Sequence, residues 1–542
     1  MTPFDLLKSK LTRRAFARSA LIPLAAVALA PMMTPAVSQP KQGGVMTMSL
    51  DPEPSILVSA LNSASPVYVV SSKLFDGLVS YDKNFNLIPR LATEWKASDD
   101  GLTITFKLRD GVTWHDGKPF TSEDVQFTFM EILKKLHPRG KGTFANLQSV
   151  ETPDAQTAVF KLSAPTPYLM RALAGAESPI MPKHIYQNGD PMRNPANTKP
   201  IGTGPFKFGE FVRGSHLLLQ RNENYWDKGK PYLDQLIIRF ISDSASRAAA
   251  LESGEVQYGA QYVVPLSDVA RLGKNPTLEV STDGWEYNTS VNYFEFNLRK
   301  PQWQDVRVRQ AIAHAIDKDF IVKNIWHDFA TAAKGGPITI KQSDFYTDDV
   351  PQYEFDLKKA AQLLDEAGYK AGPDGKRFSA TIDYSPSGDT FRQTAEILRQ
   401  NLAKIGITLT LRAQDGPTYV RRVWTDNDFD LNIYSVSNIA DPVIGIQRLY
   451  WSKAIQPGVA YSNGSSYSNP EMDRLLEAGM VENDPEKRRQ IYKQMQQIAM
   501  TDLPTFPIVY IDWFSIYNKK VKGLNTTALG LYENFADVSI EE

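Results

Sequence analysis

Residues 100 to 121 read Asp100-Gly101-Leu102-Thr103-Ile104-Thr105-Phe106-Lys107-Leu108-Arg109-Asp110-Gly111-Val112-Thr113-Trp114-His115-Asp116-Gly117-Lys118-Pro119-Phe120-Thr121. Leu102, Ile104, Phe106 and Leu108 alternate strictly with Thr103, Thr105, Lys107 and Arg109, the two-residue period of a strand with one buried and one solvated face. Three Asp-Gly pairs punctuate the stretch and predict tight turns, since glycine takes the positive φ that such turns require. Just downstream, Thr121-Ser122-Glu123-Asp124 sets a hydroxyl three residues ahead of a carboxylate, before Val125, Phe129, Ile132, Leu133 and Leu136 at helical spacing. That is the signature of a capped helix start. A strand meander with a helix beside it is the predicted unit, and mixed strands and short helices continue to about residue 290, with loop chemistry concentrated in Pro191 to Pro205.

Further along, the pattern turns helical. Asp305 is the expected cap of a helix from Val306 to Asn324, Asp356 that of a helix from Leu357 to Ala367 with Gly368 past its end, and a helix from Thr390 to Ile405 is expected to stop at Gly406. Ile407, Leu409 and Leu411 then alternate as a strand. Helix followed closely by strand predicts an α/β lobe with a covered sheet. Asp484-Pro485 opens another helix, with Ile491, Met495 and Ile498 marking its apolar side. Phe506-Pro507-Ile508-Val509-Tyr510-Ile511 is strand-like, and pattern alone assigns it to no lobe.

Composition narrows the function classes. The chain of 542 residues has 42% hydrophobic content, enough for two or three domains. Its 60 basic and 61 acidic residues give a net charge of −1, so no global field draws it to nucleic acid or anionic lipid. With no cysteine it has no disulfide, thiolate metal ligand, thiol nucleophile or lipid-attachment cysteine. The amino terminus carries Lys8, Lys10, Arg13 and Arg14 before an apolar stretch broken by Pro23, Pro31 and Pro35 and ending at Ala36-Val37-Ser38. Residues 1–38 are expected to be a signal peptide, and Thr12-Arg13-Arg14-Ala15-Phe16 looks like a twin-arginine export signal. An exported periplasmic protein, neither lipid-anchored nor membrane-spanning, follows as the expectation.

These segments resemble the family 5 bacterial extracellular solute-binding proteins, which include dipeptide-, oligopeptide- and nickel-binding members. The resemblance rests on Leu74-Phe75-Asp76-Gly77-Leu78-Val79, on Pro89 to Trp95, on the run from Asp100 to Thr121, on Gly202-Thr203-Gly204-Pro205-Phe206, on Asn224-Tyr225-Trp226, on Leu251 to Val256, on Asp305 to Ile312, and on Asp441-Pro442 and Asp484 to Arg488. It implies the two-lobed α/β periplasmic binding protein fold, in the large class II form with an extra subdomain and the ligand cleft between the lobes. Lobe one is expected from 39–293 plus 506–542, with an inserted subdomain at about 83–200, and lobe two from 294–505. The chain crosses near Phe294-Glu295-Phe296-Asn297 and near Thr505, which sends the last apolar strand to lobe one. Hinge closure on the ligand is the implied mechanism, and the implied partners are a small-molecule or peptide ligand and an inner-membrane ABC importer permease. The protein is expected to be a monomer with no cofactor, metal or nucleic acid.

In the resembled family the loop before Asp441-Pro442 faces the cleft, and peptide binders carry there an acidic residue that answers the peptide ammonium. That position is Asn438. The expected ligand contacts are therefore Asn438 and Asp441, with Tyr434, Tyr262, Tyr287 and Tyr510 as aromatic wall residues. Tyr450 and Trp451 lie in the same region. Arg421 and Arg422 are a weaker candidate for a carboxylate clamp, adjacent arginines being more often solvated surface. The pair His115-Asp116 reads as a structural turn rather than a catalytic dyad, and no histidine spacing suits zinc. An amide at 438 keeps other functions open: a binder of an oligosaccharide, another non-peptide solute or a chelated metal, and, in other classes, a periplasmic hydrolase or a chaperone-like binder of unfolded chains.

Overall fold

The computed structural model describes residues 42–261 and 263–541. The expected signal peptide and Tyr262 lie outside the described residues. Two large sheets organise the rest. The first has seven strands in the order Leu278–Ser281, Ser515–Asn518, Tyr258–Ala260, Val45–Ser49, Gln235–Arg239, His216–Arg221 and Phe206–Val212. Val45–Ser49 runs parallel to both of its neighbours, while the outer pairs are antiparallel. The second has six strands in the order Ala330–Ala332, Thr505–Ile511, Asn288–Phe296, Leu431–Ile439, Phe378–Tyr384 and Ile407–Arg412.

The stretch from 100 to 121 folds as its pattern dictates. Thr103–Leu108 is a strand in a separate four-stranded antiparallel sheet with Ala92–Ala97, Thr157–Leu162 and Leu147–Asp154. Ile104, Phe106 and Leu108 are buried while Thr105 and Lys107 are exposed. Asp124 closes the helix start by accepting the Thr121 N–H at 3.0 Å. At the Trp114 turn, the Gly117 N–H reaches the Trp114 carbonyl at 2.8 Å with Gly117 at φ +86°. His115 clips this turn to a distant loop, its Nδ1 accepting the Gly202 N–H at 3.0 Å while Nε2–H donates to the Gly204 carbonyl at 3.0 Å. Burial holds its pKa down at about 4.

Helix starts were mostly legible because short polar side chains cap them. Asp356 accepts from the amides of Lys358 and Lys359, and Asp484 from those of Glu486 and Lys487, ahead of helices Leu357–Glu366 and Pro485–Asp502. The helix expected over Val306 to Asn324 is corrected to two, Val306–His314 and Lys318–Asn324. Asp317 accepts the Phe320 N–H and restarts the chain as a new helix, a cap hidden inside a continuous apolar period.

The last apolar strand is also corrected. Thr505–Ile511 lies in the six-stranded sheet, antiparallel to Asn288–Phe296 on one side and Ala330–Ala332 on the other, not in the sheet of the amino-terminal segment. A register shift between Asn292 and Tyr293 accommodates Pro507, which lacks the N–H a central strand needs. Asn288–Phe296 also belongs whole to this sheet, so the chain leaves the first sheet after Ser281 and returns to it at Ser515. Every residue of Thr505–Ile511 is buried, so neither solvated face nor alternation reveals which sheet it joins.

Candidate functional site

A cavity of about 590 Å³ lies where the inner segment, 288–511, meets the outer ones, within the range of roughly 300–1,000 Å³ common for small-molecule sites. Tyr68, Arg139, Glu177 and Gln261 line it from the amino-terminal segment, and Asn288, Ser435, Ser437, Ile439, Arg448 and Tyr461 from the inner one. Tyr287 and Trp513 come from the two crossings, and Tyr532 from the carboxy-terminal tail.

Strand parity decides which residues reach it. Asn288, Ser290 and Asn292 stand directly opposite Ile439, Ser437 and Ser435, so these six side chains share one face of the sheet. Ser290 and Ser437 hydroxyls lie 3.3 Å apart, and the Trp513 indole N–H donates to Ser290 at 3.2 Å. Further along the same face stand Phe294 and Ile433, then Phe296 and Leu431, all in the main core. The face thus changes from core to polar wall midway along both strands, in the same row. The opposite face holds Val291, Tyr293, Tyr434 and Val436, packed into a second apolar cluster.

The electrostatics are asymmetric. Glu177 is fully buried and occupied: it accepts from Arg139 Nε at 3.1 Å and from the Tyr68 hydroxyl at 3.0 Å, with a second Arg139 contact through Nη2. Burial raises its carboxyl pKa, but Arg139, then His137 and Tyr68, outweigh that and hold it below the usual range. Nearby His137 is held neutral, its pKa drawn down to about 4 first by burial. Arg448 is different. Its Nε is buried without a partner, and among the described residues no carboxylate pairs with it. Burial, then the positive charge of Arg139, lower its pKa to about 10. Two cations and one engaged carboxylate leave the cavity wall one positive charge in excess.

Of the six residues expected to contact ligand, Tyr287 lines the cavity. Asn438 is corrected: its amide donates to the Pro337 carbonyl at 2.7 Å, because strand parity sends its side chain to the face of Val291, Tyr293 and Tyr434. Tyr434 shares that parity and packs against Tyr293 and Trp424. Tyr510, opposite Val291, also faces that way, its hydroxyl donating to the Gly336 carbonyl at 3.0 Å. Asp441 is buried in a two-pronged ion pair with Arg488, at 2.8 and 2.7 Å, and accepts the Val443 N–H at 3.0 Å. Tyr262 lies outside the described residues. Arg421 and Arg422 sit on the surface beside Asp426 and Asp428, so the clamp expected of them is not at the cavity. Sequence reasoning missed the rest of the lining, among it Arg448, Arg139, Glu177, Tyr68, Ser435 and Ser437. The switch in apolar phase, from Leu431 and Ile433 to Tyr434 and Val436, was the signal that marks the two serines.

Residues 86–457 match the model for the middle region of bacterial extracellular solute-binding proteins, family 5. A protein of Brucella ovis assigned as an ABC transporter peptide-binding protein is 33% identical over 448 residues, covering 79% of this chain and 80% of the relative. Among solved structures, NikZ from Campylobacter jejuni in complex with Ni(L-His) superimposes with a TM-score of 0.80 at 26% identity, covering 91% of this chain and 99% of the other. The oligopeptide-binding protein AppA from Bacillus subtilis, in complex with a nonapeptide, gives 0.78 at 28% identity, covering 93% and 100%.

Proposed function

We propose, from the premise that this chain belongs to the family 5 bacterial extracellular solute-binding proteins, that it is the peptide-binding component of an ABC importer and closes on its ligand between two lobes. The observation that carries this is a cavity walled from both the inner and the outer chain segments. A ligand that touches both sides favours the closed state over the open one, and only such differential contact shifts that equilibrium. Two of the relatives named above, the Brucella ovis protein and AppA, support peptides as the ligand class. We take the lobes as the segments that carry the two large sheets, with crossings at 282–287 and 512–514. The partner is the importer permease, and the protein acts as a monomer in the periplasm, exported by residues 1–38, without catalysis and without affinity for nucleic acid.

The test is a thermal-shift screen of di- to hexapeptides, sugars and metal chelates against the purified protein lacking residues 1–38. A ligand that binds the native state alone raises the melting temperature in proportion to the logarithm of its concentration over Kd. Stabilisation by peptides is the expected result. Silence from all peptides alongside a response to a neutral sugar would sink the reading.

A further inference from the structure

Resting on the reading of this cavity as the ligand site, we propose that Arg448 is its anchor for a carboxylate, and that the ligand's amine is not read as a charge. The substrate class is a small carboxylic acid, either a short peptide bound by its terminal carboxylate or an amino-acid derivative with a blocked or secondary amine.

Arg448 lines the cavity, and its Nε is buried with no hydrogen-bond partner. A half-buried guanidinium with its Nε shielded and unpaired is only partly hydrated, so an anion that meets it is favoured, and it presents paired N–H donors matched to a carboxylate. The cavity wall offers no free acid in return. Glu177 is its carboxylate, and Arg139 and Tyr68 already engage both of its oxygens. A free ammonium entering here would find hydroxyls and amides rather than an opposite charge. Asn438 offers nothing here, since its side chain lies across the sheet and donates to the Pro337 carbonyl. One excess positive charge on the wall and no unpaired negative one select a ligand by its acid end.

Matched di- to tetrapeptides in three forms, free, N-acetylated and C-amidated, together with N-carboxyalkyl amino acids, are titrated calorimetrically against wild type, Arg448→Gln and Arg448→Lys. N-acetyl peptides or N-carboxyalkyl amino acids are expected to bind wild type at least as tightly as free peptides do, and C-amides roughly 100-fold more weakly. Arg448→Gln should lose a similar factor for every carboxylate ligand, with Arg448→Lys intermediate. The unliganded melting temperature of Arg448→Gln should hold or rise, because a half-buried charge without a counter-ion has gone. A guanidinium with a merely structural role would instead lower it. C-amides binding as well as free acids, or Arg448→Gln binding like wild type, overturns the anchor while leaving the peptide reading intact. N-carboxyalkyl amino acids binding through Arg448 while every peptide stays silent upholds the anchor and overturns the peptide reading. A neutral sugar as sole ligand overturns both.

Discussion

At the scale of single residues, the position of a side chain across a sheet outweighs its chemical type. Asn438 has the right chemistry for a ligand contact and the wrong parity. Asn438→Asp is therefore expected to create no ammonium site. A carboxylate there would face the Pro337 carbonyl in a buried setting, costing about 3 kcal/mol or more. Urea unfolding checks the loss, and calorimetry should find the affinity of the folded fraction for free-amine peptides unchanged. His115 supplies a pH-dependent counterpart. Its folded pKa of about 4 lies below the ordinary histidine value of about 6.5, so between those limits the unfolded chain binds more protons. Stability from this group is complete above about pH 6.5 and is lost as pH falls toward 4. His115→Gln can keep one donor and one acceptor for Gly204 and Gly202, and it should flatten that acid-side fall by on the order of 3 kcal/mol. Denaturant midpoints of the two proteins from pH 7 to 4 measure the difference, in which the opposing contributions of Glu295 and Glu533, raised by burial to about 7, cancel.

Among elements, what could be read from the sequence depended on whether one face met water. Thr103–Leu108 was legible because its exposed side is polar along its length, and helices were legible where Asp356 and Asp484 cap them. Thr505–Ile511 is covered on both faces and Leu431–Ile439 is too except at Ser435 and Ser437, so no single alternation distinguishes cavity from core. The site was hidden for the same reason, apart from the phase switch at Tyr434. Arg448 was hidden differently: it follows the short helix Pro442–Gly445 within Gln447–Tyr450, where no periodicity assigns a face. The Asp441–Arg488 pair ties the end of Leu431–Ile439 to helix Pro485–Asp502. Removing one partner leaves the other charge buried, so Asp441→Asn should cost about 3–5 kcal/mol. The Kd for wild-type ligands, measured well below the lowered melting temperature, should change little, which separates a brace from a binding residue.

For the whole molecule, the closure proposed above makes the contacts between segments the groups that would set the balance of open and closed forms. Arg171, from the turn Leu169–Ala172, donates to the Ala440 carbonyl at 3.0 Å and pairs with Asp344 at 2.8 Å, joining outer to inner segment at a half-exposed position. Arg171→Ala is expected to weaken ligand binding by roughly two- to tenfold, chiefly through faster dissociation. The unliganded protein should show a larger radius of gyration in X-ray scattering, and an unchanged radius would assign Arg171 no part in closure. The placement of Thr505–Ile511 between Asn288–Phe296 and Ala330–Ala332 has a consequence for synthesis. Roughly two hundred residues separate Asn288–Phe296 from this interior strand in the order of synthesis, so the six-stranded sheet receives it late. Until then Asn288–Phe296 presents an open edge of the kind that invites pairing with other chains. The nascent protein is therefore expected to need that edge shielded until Thr505–Ile511 arrives, and a stop codon shortly before residue 505 would leave it bare.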